Sequence, residues 1–336
     1  MNTDTRYTYS VARIRALERK LLDRARIEMM LEAKTAQEVL KILAETDYGS
    51  LLAEIKDVYQ YEQVLGMERK RVFELLRKIA PQKEIIDIFA VRYDFHNLKV
   101  LLKAKYLGEQ ASELTVDAGT IDPARLEKMV AEDDWRDLPA NYRQAVEAAV
   151  NGFNQSGDPQ TFSFLLDAAL FDILIDLAKR SGSEYLVNYF RLQIDLLNIG
   201  AFLRVKNLNK SREFLDNVLL ANGTVEKKAF LLLYNELEPA DALISRLSLT
   251  EYAPVVEEGA RFWAKHRTTT HFEKLADNFL LDYVKSAKSV LFGVEPLLAY
   301  LIAKDIEIRV IRMIMISKLN GIPAEDIKER LRDVYA

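Results

Sequence analysis

Tyr185-Leu186-Val187-Asn188-Tyr189-Phe190-Arg191-Leu192-Gln193-Ile194-Asp195-Leu196-Leu197-Asn198-Ile199 is an apolar helical stretch with one carboxylate inside it. Two other stretches repeat the pattern. The earlier one is Ile85-Ile86-Asp87-Ile88-Phe89-Ala90-Val91-Arg92-Tyr93-Asp94-Phe95-His96-Asn97-Leu98, and the later one runs from Leu298 to Arg312. Each leads to an acid: Asp94, Asp195 and Glu307. An aliphatic residue follows four positions on, at Leu98, Ile199 and Ile311. Asn97 and Asn198 stand three after the acid in the first two, where the third has Val310. All three helices run to similar stops: Tyr106-Leu107-Gly108, Asn207-Leu208-Asn209 and Lys318-Leu319-Asn320-Gly321.

A second echo precedes each. Thr35-Ala36-Gln37-Glu38 reads as a capping box that opens a short helix ending at Asp47-Tyr48. Asp122-Pro123 opens one ending at Asp134-Trp135, and Glu238-Pro239 one ending at Glu251-Tyr252. Two echoes in the same order, three times over, divide the chain into repeats of about a hundred residues, 1–113, 114–222 and 223–336. Stacked about an axis such units give a ring or funnel; stacked linearly they give a solenoid.

Periodicity elsewhere is helical too. Val11 to Leu31 places Ile14, Leu17, Leu21 and Leu22 at helical spacing. With only 12 Gly and 8 Pro in 336 residues, a turn-rich β fold is disfavoured, and the expected class is all-α. Other breaks fall at Asp47 to Ser50, Pro81, Ser181 to Ser183, Asn222-Gly223 and Gly293. A net charge of -4 argues against nucleic acid as a partner. No cysteine is present to form a disulfide or a thiolate metal site. The polar start, Met1 to Ser10, does not resemble a secretory signal, and no apolar run is long enough to span a bilayer. The sequons at Asn154 and Asn222 are read as turns.

Motifs for chemistry are missing. No phosphate loop, dinucleotide fingerprint or nucleophile elbow occurs. His266 and His271 are five apart, off a shared helix face, and His96 has no partner in sequence for catalysis. Asp133-Asp134 and Glu257-Glu258 read as solvated helix ends. Arg13, Arg15, Arg19, Lys20, Arg24 and Arg26 alternate with Glu18 and Asp23, as on an exposed face or a docking face. No catalytic, cofactor-binding or metal-binding residue is therefore assigned. The remaining candidates are Asp94 with Asn97, Asp195 with Asn198, and Glu307 with Arg312, polar residues on apolar helices. They serve either as internal polar glue or as the lining of a cavity where repeats converge.

The chain resembles the central-stalk C subunits of A-type and bacterial V-type rotary ATPases, which are homologous to the d subunit of the eukaryotic V-ATPase. The likeness is carried by Tyr7-x-Tyr9-x-Val11-Ala12-Arg13-Ile14-Arg15, Thr46-Asp47-Tyr48-Gly49, and Tyr93 to Lys99. The closing Glu307 to Arg312 and Lys318 to Pro323 complete it, with Val310 departing from an Asn that the family often shows. The resemblance implies three pseudo-symmetric helical-repeat domains arranged as a funnel on the cytoplasmic face of the membrane rotor ring. The expected partners are the D and F subunits of the central shaft and the proteolipid ring, and the expected function is torque transmission without catalysis or cofactor. Attachment to the membrane is then peripheral, through protein contacts alone. Competing classes are a generic helical-repeat scaffold and an enzyme with an acidic helical site.

Overall fold

The computed structural model describes residues 5–336. The fold is all-α: 74% of it is helical and no strand occurs among the described residues. The helices are α1 (Thr8–Glu18), α2 (Arg24–Glu32), α3 (Ala36–Ala44), α4 (Gly49–Leu52), α5 (Tyr61–Ile79) and α6 (Lys83–Leu107). Next come α7 (Pro123–Glu132), α8 (Ala140–Ser156), α9 (Gln160–Arg180), α10 (Glu184–Asn207), α11 (Arg212–Val218) and α12 (Lys227–Leu233). The chain finishes with α13 (Pro239–Leu247), α14 (Ala253–His266), α15 (Thr270–Lys285), α16 (Glu295–Leu319) and α17 (Ala324–Arg330).

Two compact units result. One comprises Met1–Ile86 with Asp277–Ala336, the other Asp87–Ala276. In the first, α16 packs on α1, α3 and α5, and α17 on α2. Ile308, Ile311, Ile314 and Met315 of α16 share a core with Ile27, Met30, Val39, Leu43 and Leu65. Removing that apolar surface from water is the main stabilising term here. In the second unit α9 packs on both α8 and α10, and α13 on α14. Phe162, Leu166, Leu174, Phe190 and Phe202 are fully covered there. No helix among the described residues is long and apolar enough to cross a membrane.

The helical pattern over Val11–Leu31 does not form one helix. The chain breaks between Glu18 and Arg24. Asp23 takes an extended conformation and accepts a bond from the Arg26 amide, so it starts α2. The Leu22 amide is drawn off to Glu307. A tertiary hydrogen bond and a cap together override the apolar period.

The three long helices α6, α10 and α16 stop in one way. Gly108, Asn209 and Gly321 lie at φ 72°, 49° and 66°. Each time the next amide reaches back five residues: Glu109 to the Ala104 carbonyl, Lys210 to Val205, Ile322 to Ser317. Each left-handed residue also bonds three back, to Lys105, Lys206 and Lys318. These are Schellman ends, which satisfy carbonyls the helix leaves open. The helix starts agree less well. Thr35 caps α3 through the Glu38 amide, but Glu38 answers to the Lys34 amide, one residue earlier than in a capping box. Asp122 caps α7, whereas Glu238 gives α13 no side-chain cap.

Candidate functional site

Asp94 and Asn97 face the same side of α6, three residues apart, and both are 0% exposed. Asp94 Oδ1 accepts the amides of Thr120 (2.8 Å) and Ile121 (3.0 Å). Its Oδ2 accepts the Thr120 hydroxyl (2.6 Å) and the Tyr142 hydroxyl (3.1 Å). Asn97 pairs with the backbone of Val116, donating to its carbonyl at 2.9 Å and accepting its amide at 2.8 Å. The carboxylate and the amide thus hold the loop before α7 and the start of α8.

Asp195 and Asn198 do the same on α10, also at 0% exposure. Asp195 accepts the Thr224 amide (3.1 Å), the Thr224 hydroxyl, the Val225 amide (3.2 Å) and the Tyr252 hydroxyl (3.1 Å). Asn198 pairs with Leu220, 2.9 Å to its carbonyl and 2.8 Å from its amide. The amide-held residue stands four before the threonine in both cases, Val116 to Thr120 and Leu220 to Thr224. Thr224 closes the sequon of Asn222, and its hydroxyl is spent on Asp195, while Asn222 donates to Asp172 at 2.7 Å.

A glycine precedes each threonine. A Cβ on Gly119 would stand 2.1 Å from Asp94 Oδ1, and one on Gly223 would stand 2.2 Å from Asp195 Oδ1. Only the bare backbone lets the loop close on the carboxylate. Gly223→Ala is expected to destabilise the chain by about 1–3 kcal/mol through this overlap. A variant that melts together with the wild type would show that the loop does not press on Asp195.

Burial lifts both carboxyls above the ordinary value near 3.8; the Thr, amide and Tyr donors pull back without cancelling it. The folded chain therefore holds these protons more tightly than the unfolded one. The stabilisation linked to Asp195 is complete below about 3.8 and is lost as pH rises through its raised folded value. The stability gap between wild type and Asp195→Asn should accordingly narrow as pH rises across that window. Urea midpoints at several pH values measure it, and a widening gap would contradict the sign.

The third acid works differently. Glu307 is 3% exposed and accepts the Leu22 amide at 2.6 Å and the Tyr48 hydroxyl at 2.8 Å. Its other contact is Lys304 Nζ at 2.7 Å, which also reaches Glu68 at 2.9 Å. Arg71 closes the chain of charges with a two-pronged bond to Glu68, at 2.7 and 2.9 Å. Burial opposes the charge on Lys304, but Glu307 and Glu68 outweigh it and push the ammonium pKa upward. Tyr48 is raised by burial first and by Glu307 next, so its hydroxyl stays a donor. Val310 is buried where the first two helices carry Asn. The extra methylene of Glu, and a buried lysine, replace the Gly-Thr loop and the Asn pair.

The order of these bonds is cyclic. The acid of α6 holds residues 120, 121 and 142, and that of α10 holds 224, 225 and 252. The acid of α16 returns to residues 22 and 48 near the start. Each acid grips the segment that opens the next stretch of chain, and the last grips the first.

The family model described as ATP synthase (C/AC39) subunit matches residues 10–330. The chain belongs to that family. Among its C/AC39 relatives is the A-type ATP synthase C subunit of Methanocaldococcus jannaschii, 26% identical over 97% of this chain and 86% of that one. The V-type sodium ATPase C subunit of Enterococcus hirae is 28% identical, over 96% of this chain and 97% of its own. The A-type ATP synthase C subunit of Desulfurococcus is 27% identical over 98% and 92%.

Within this C/AC39 chain the sequence candidates are placed unevenly. Asp94 and Asn97 act together, as do Asp195 and Asn198. Arg312 does not join Glu307; it forks onto Glu62 at 2.7 and 2.9 Å near the surface. The echo aligned Trp135 with Tyr48 and Tyr252 at the ends of matching helices, but the hydroxyl that reaches Asp94 comes from Tyr142, seven residues later. His96 lies 3.2 Å from the Leu114 carbonyl, and His271 meets Glu258 at 2.9 Å. Arg15, in the mixed-sign run, turns inward to Glu18 and to the carbonyls of Ala287 and Val290. Sequence reasoning missed Thr120, Thr224, Tyr142, Glu68 and Lys304. The signal for the threonines was present as Gly119-Thr120 and Gly223-Thr224, one dipeptide after each aspartate helix.

Proposed function

We propose that the chain is a non-catalytic rotor subunit of a rotary ATPase. It links the central shaft, built of the D and F subunits, to the membrane proteolipid ring and passes torque between ATP turnover and ion transport. The observation that carries this is the family match over residues 10–330, with relatives named as C subunits of A-type and V-type enzymes. The repeats 1–113, 114–222 and 223–336 then form a funnel of pseudo-equivalent domains, peripheral to the cytoplasmic face through protein contacts. The like Schellman ends and the cyclic acid clamps support that division. Interior hydrogen bonds and close packing suit a part that must twist as one piece. The test is a pull-down of the tagged chain from detergent-solubilised membranes. Shaft and ring proteins should co-elute in fixed ratio. Recovery of the chain without either, from membranes that contain both, would refute the assignment.

A further inference from the structure

Helix α1 carries the first part of the mixed-sign run of charges, and the fold sorts the signs. Glu18 is the one acid of α1. Its side chain is 12% exposed and turns inward, accepting from Arg15 at 2.7 and 2.9 Å and from the Tyr335 hydroxyl at 2.8 Å. Arg15 turns in with it, and its other terminal nitrogen reaches the carbonyls of Ala287 and Val290. Asp23, beyond the helix, caps α2 through the Arg26 amide. Arg13 and Arg19 stay exposed, without an acid partner among the described residues. Lys20 is exposed beside them and reaches Asp47 at 3.1 Å.

What remains outward has one sign of charge. At about 3.6 residues per turn, Tyr9, Arg13, Ala16 and Lys20 lie on one line, flanked by Ala12 and Arg19. All six are exposed. Tyr9 is 66% exposed, and Arg13 donates to its hydroxyl at 3.3 Å. The opposite side, Ser10, Val11 and Ile14, is buried, and α1 packs on α16. The apolar side of the helix is therefore used within the chain, while the cationic side is left to solvent.

That arrangement selects the partner. Tyr and Arg are enriched where protein surfaces bind one another. Ala12 and Ala16 leave room for a second helix at about 8–10 Å between axes. Arg13 and the Arg19–Lys20 pair stand roughly 10 Å apart along α1, at about 1.5 Å per residue, which is the spacing of carboxylates seven residues apart on a facing helix. A lipid surface fits less well, because insertion needs a free apolar face and α1 has buried its own. The net charge of -4 opposes nucleic acid. We propose that the outward face of α1 docks an acidic helix of a partner protein, with carboxylates on Arg13 and Arg19 and a side chain packed between Tyr9 and Ala16. The inference concerns the chemistry of the partner and does not rest on the rotor assignment.

Benzoylphenylalanine placed at Ala16 tests it, in cells that make the full chain with its natural neighbours. After irradiation the adduct is digested and sequenced by mass spectrometry. An adduct to one protein is expected, in a helix-forming stretch with two carboxylates about seven residues apart. Arg13→Glu together with Arg19→Glu should lower its yield at least about tenfold, through like-charge repulsion. Arg246→Glu, at an exposed arginine of α13, should leave the yield as it is. The double variant should melt like the wild type, because both side chains stand in solvent. Where it melts lower, Arg13→Gln and Arg19→Gln singly carry the same readout, each lowering the yield about threefold without a reversed charge. An adduct with lipid or nucleic acid, with a stretch lacking acids, or with nothing at all overturns the proposal, as does a yield that these variants leave unaltered.

Discussion

Lys304→Met should destabilise the chain by about 3–5 kcal/mol, the usual cost of removing one partner from a buried ion pair. Lys304 is 2% exposed, and its ammonium stands between Glu68 at 2.9 Å and Glu307 at 2.7 Å. The two glutamates do not suffer alike. Glu68 keeps Arg71, at 2.7 Å. Among the described residues Glu307 keeps the neutral donors Leu22 and Tyr48. The second substitution Glu307→Gln should then recover part of the loss, because it removes the stranded charge: the amide oxygen keeps the Leu22 bond, and the Tyr48 hydroxyl, on the other oxygen in the wild type, can turn to accept from the amide NH2. Urea unfolding of the two singles and the double makes a thermodynamic cycle. Additive losses would mean that Lys304 and Glu307 do not depend on each other, and the charge chain would lose its explanation.

Asp195→Ala should be nearly as costly. It strands the amides of Thr224 and Val225 and the hydroxyls of Thr224 and Tyr252. Each orphaned donor costs about 1–3 kcal/mol, less than additively, because water enters the space left by the side chain. A net loss on the order of 3–5 kcal/mol and a clear fall in Tm are expected. In an assembled enzyme the same change should weaken coupling between ATP hydrolysis and ion pumping, while hydrolysis by the detached catalytic head stays as before. A variant that melts and pumps like the wild type would reduce the clamp to an ornament. One that folds normally yet uncouples would show that the loop Asp195 positions, rather than the stability it lends, serves a partner.

The burial pattern bears on the two readings of these residues. At 0% exposure, Asp94, Asn97, Asp195 and Asn198 offer no surface of their own to a partner in this chain. Their oxygens and amides are engaged inside it. What they position is the backbone of the next stretch.

Much of the fold was legible because it is local. Helical spacing, scarce Gly and Pro, and the left-handed stops at Gly108, Asn209 and Gly321 act within a few residues, and the sequence carries them openly. The three acids stood out for the same reason, as carboxylates at a matching position in three mostly apolar helices. Tertiary structure alone decided their partners. Glu307 bonds a backbone amide 285 residues away, and Asp195 a threonine 29 residues away. No periodicity records which loop will arrive at a buried carboxylate. The choice of Tyr142 over Trp135, the break before α2, and the rescue of Glu307 by Lys304 all follow from that arrival. A buried charge accepts whatever donors the packed chain brings within reach, and packing, not local propensity, sets which those are.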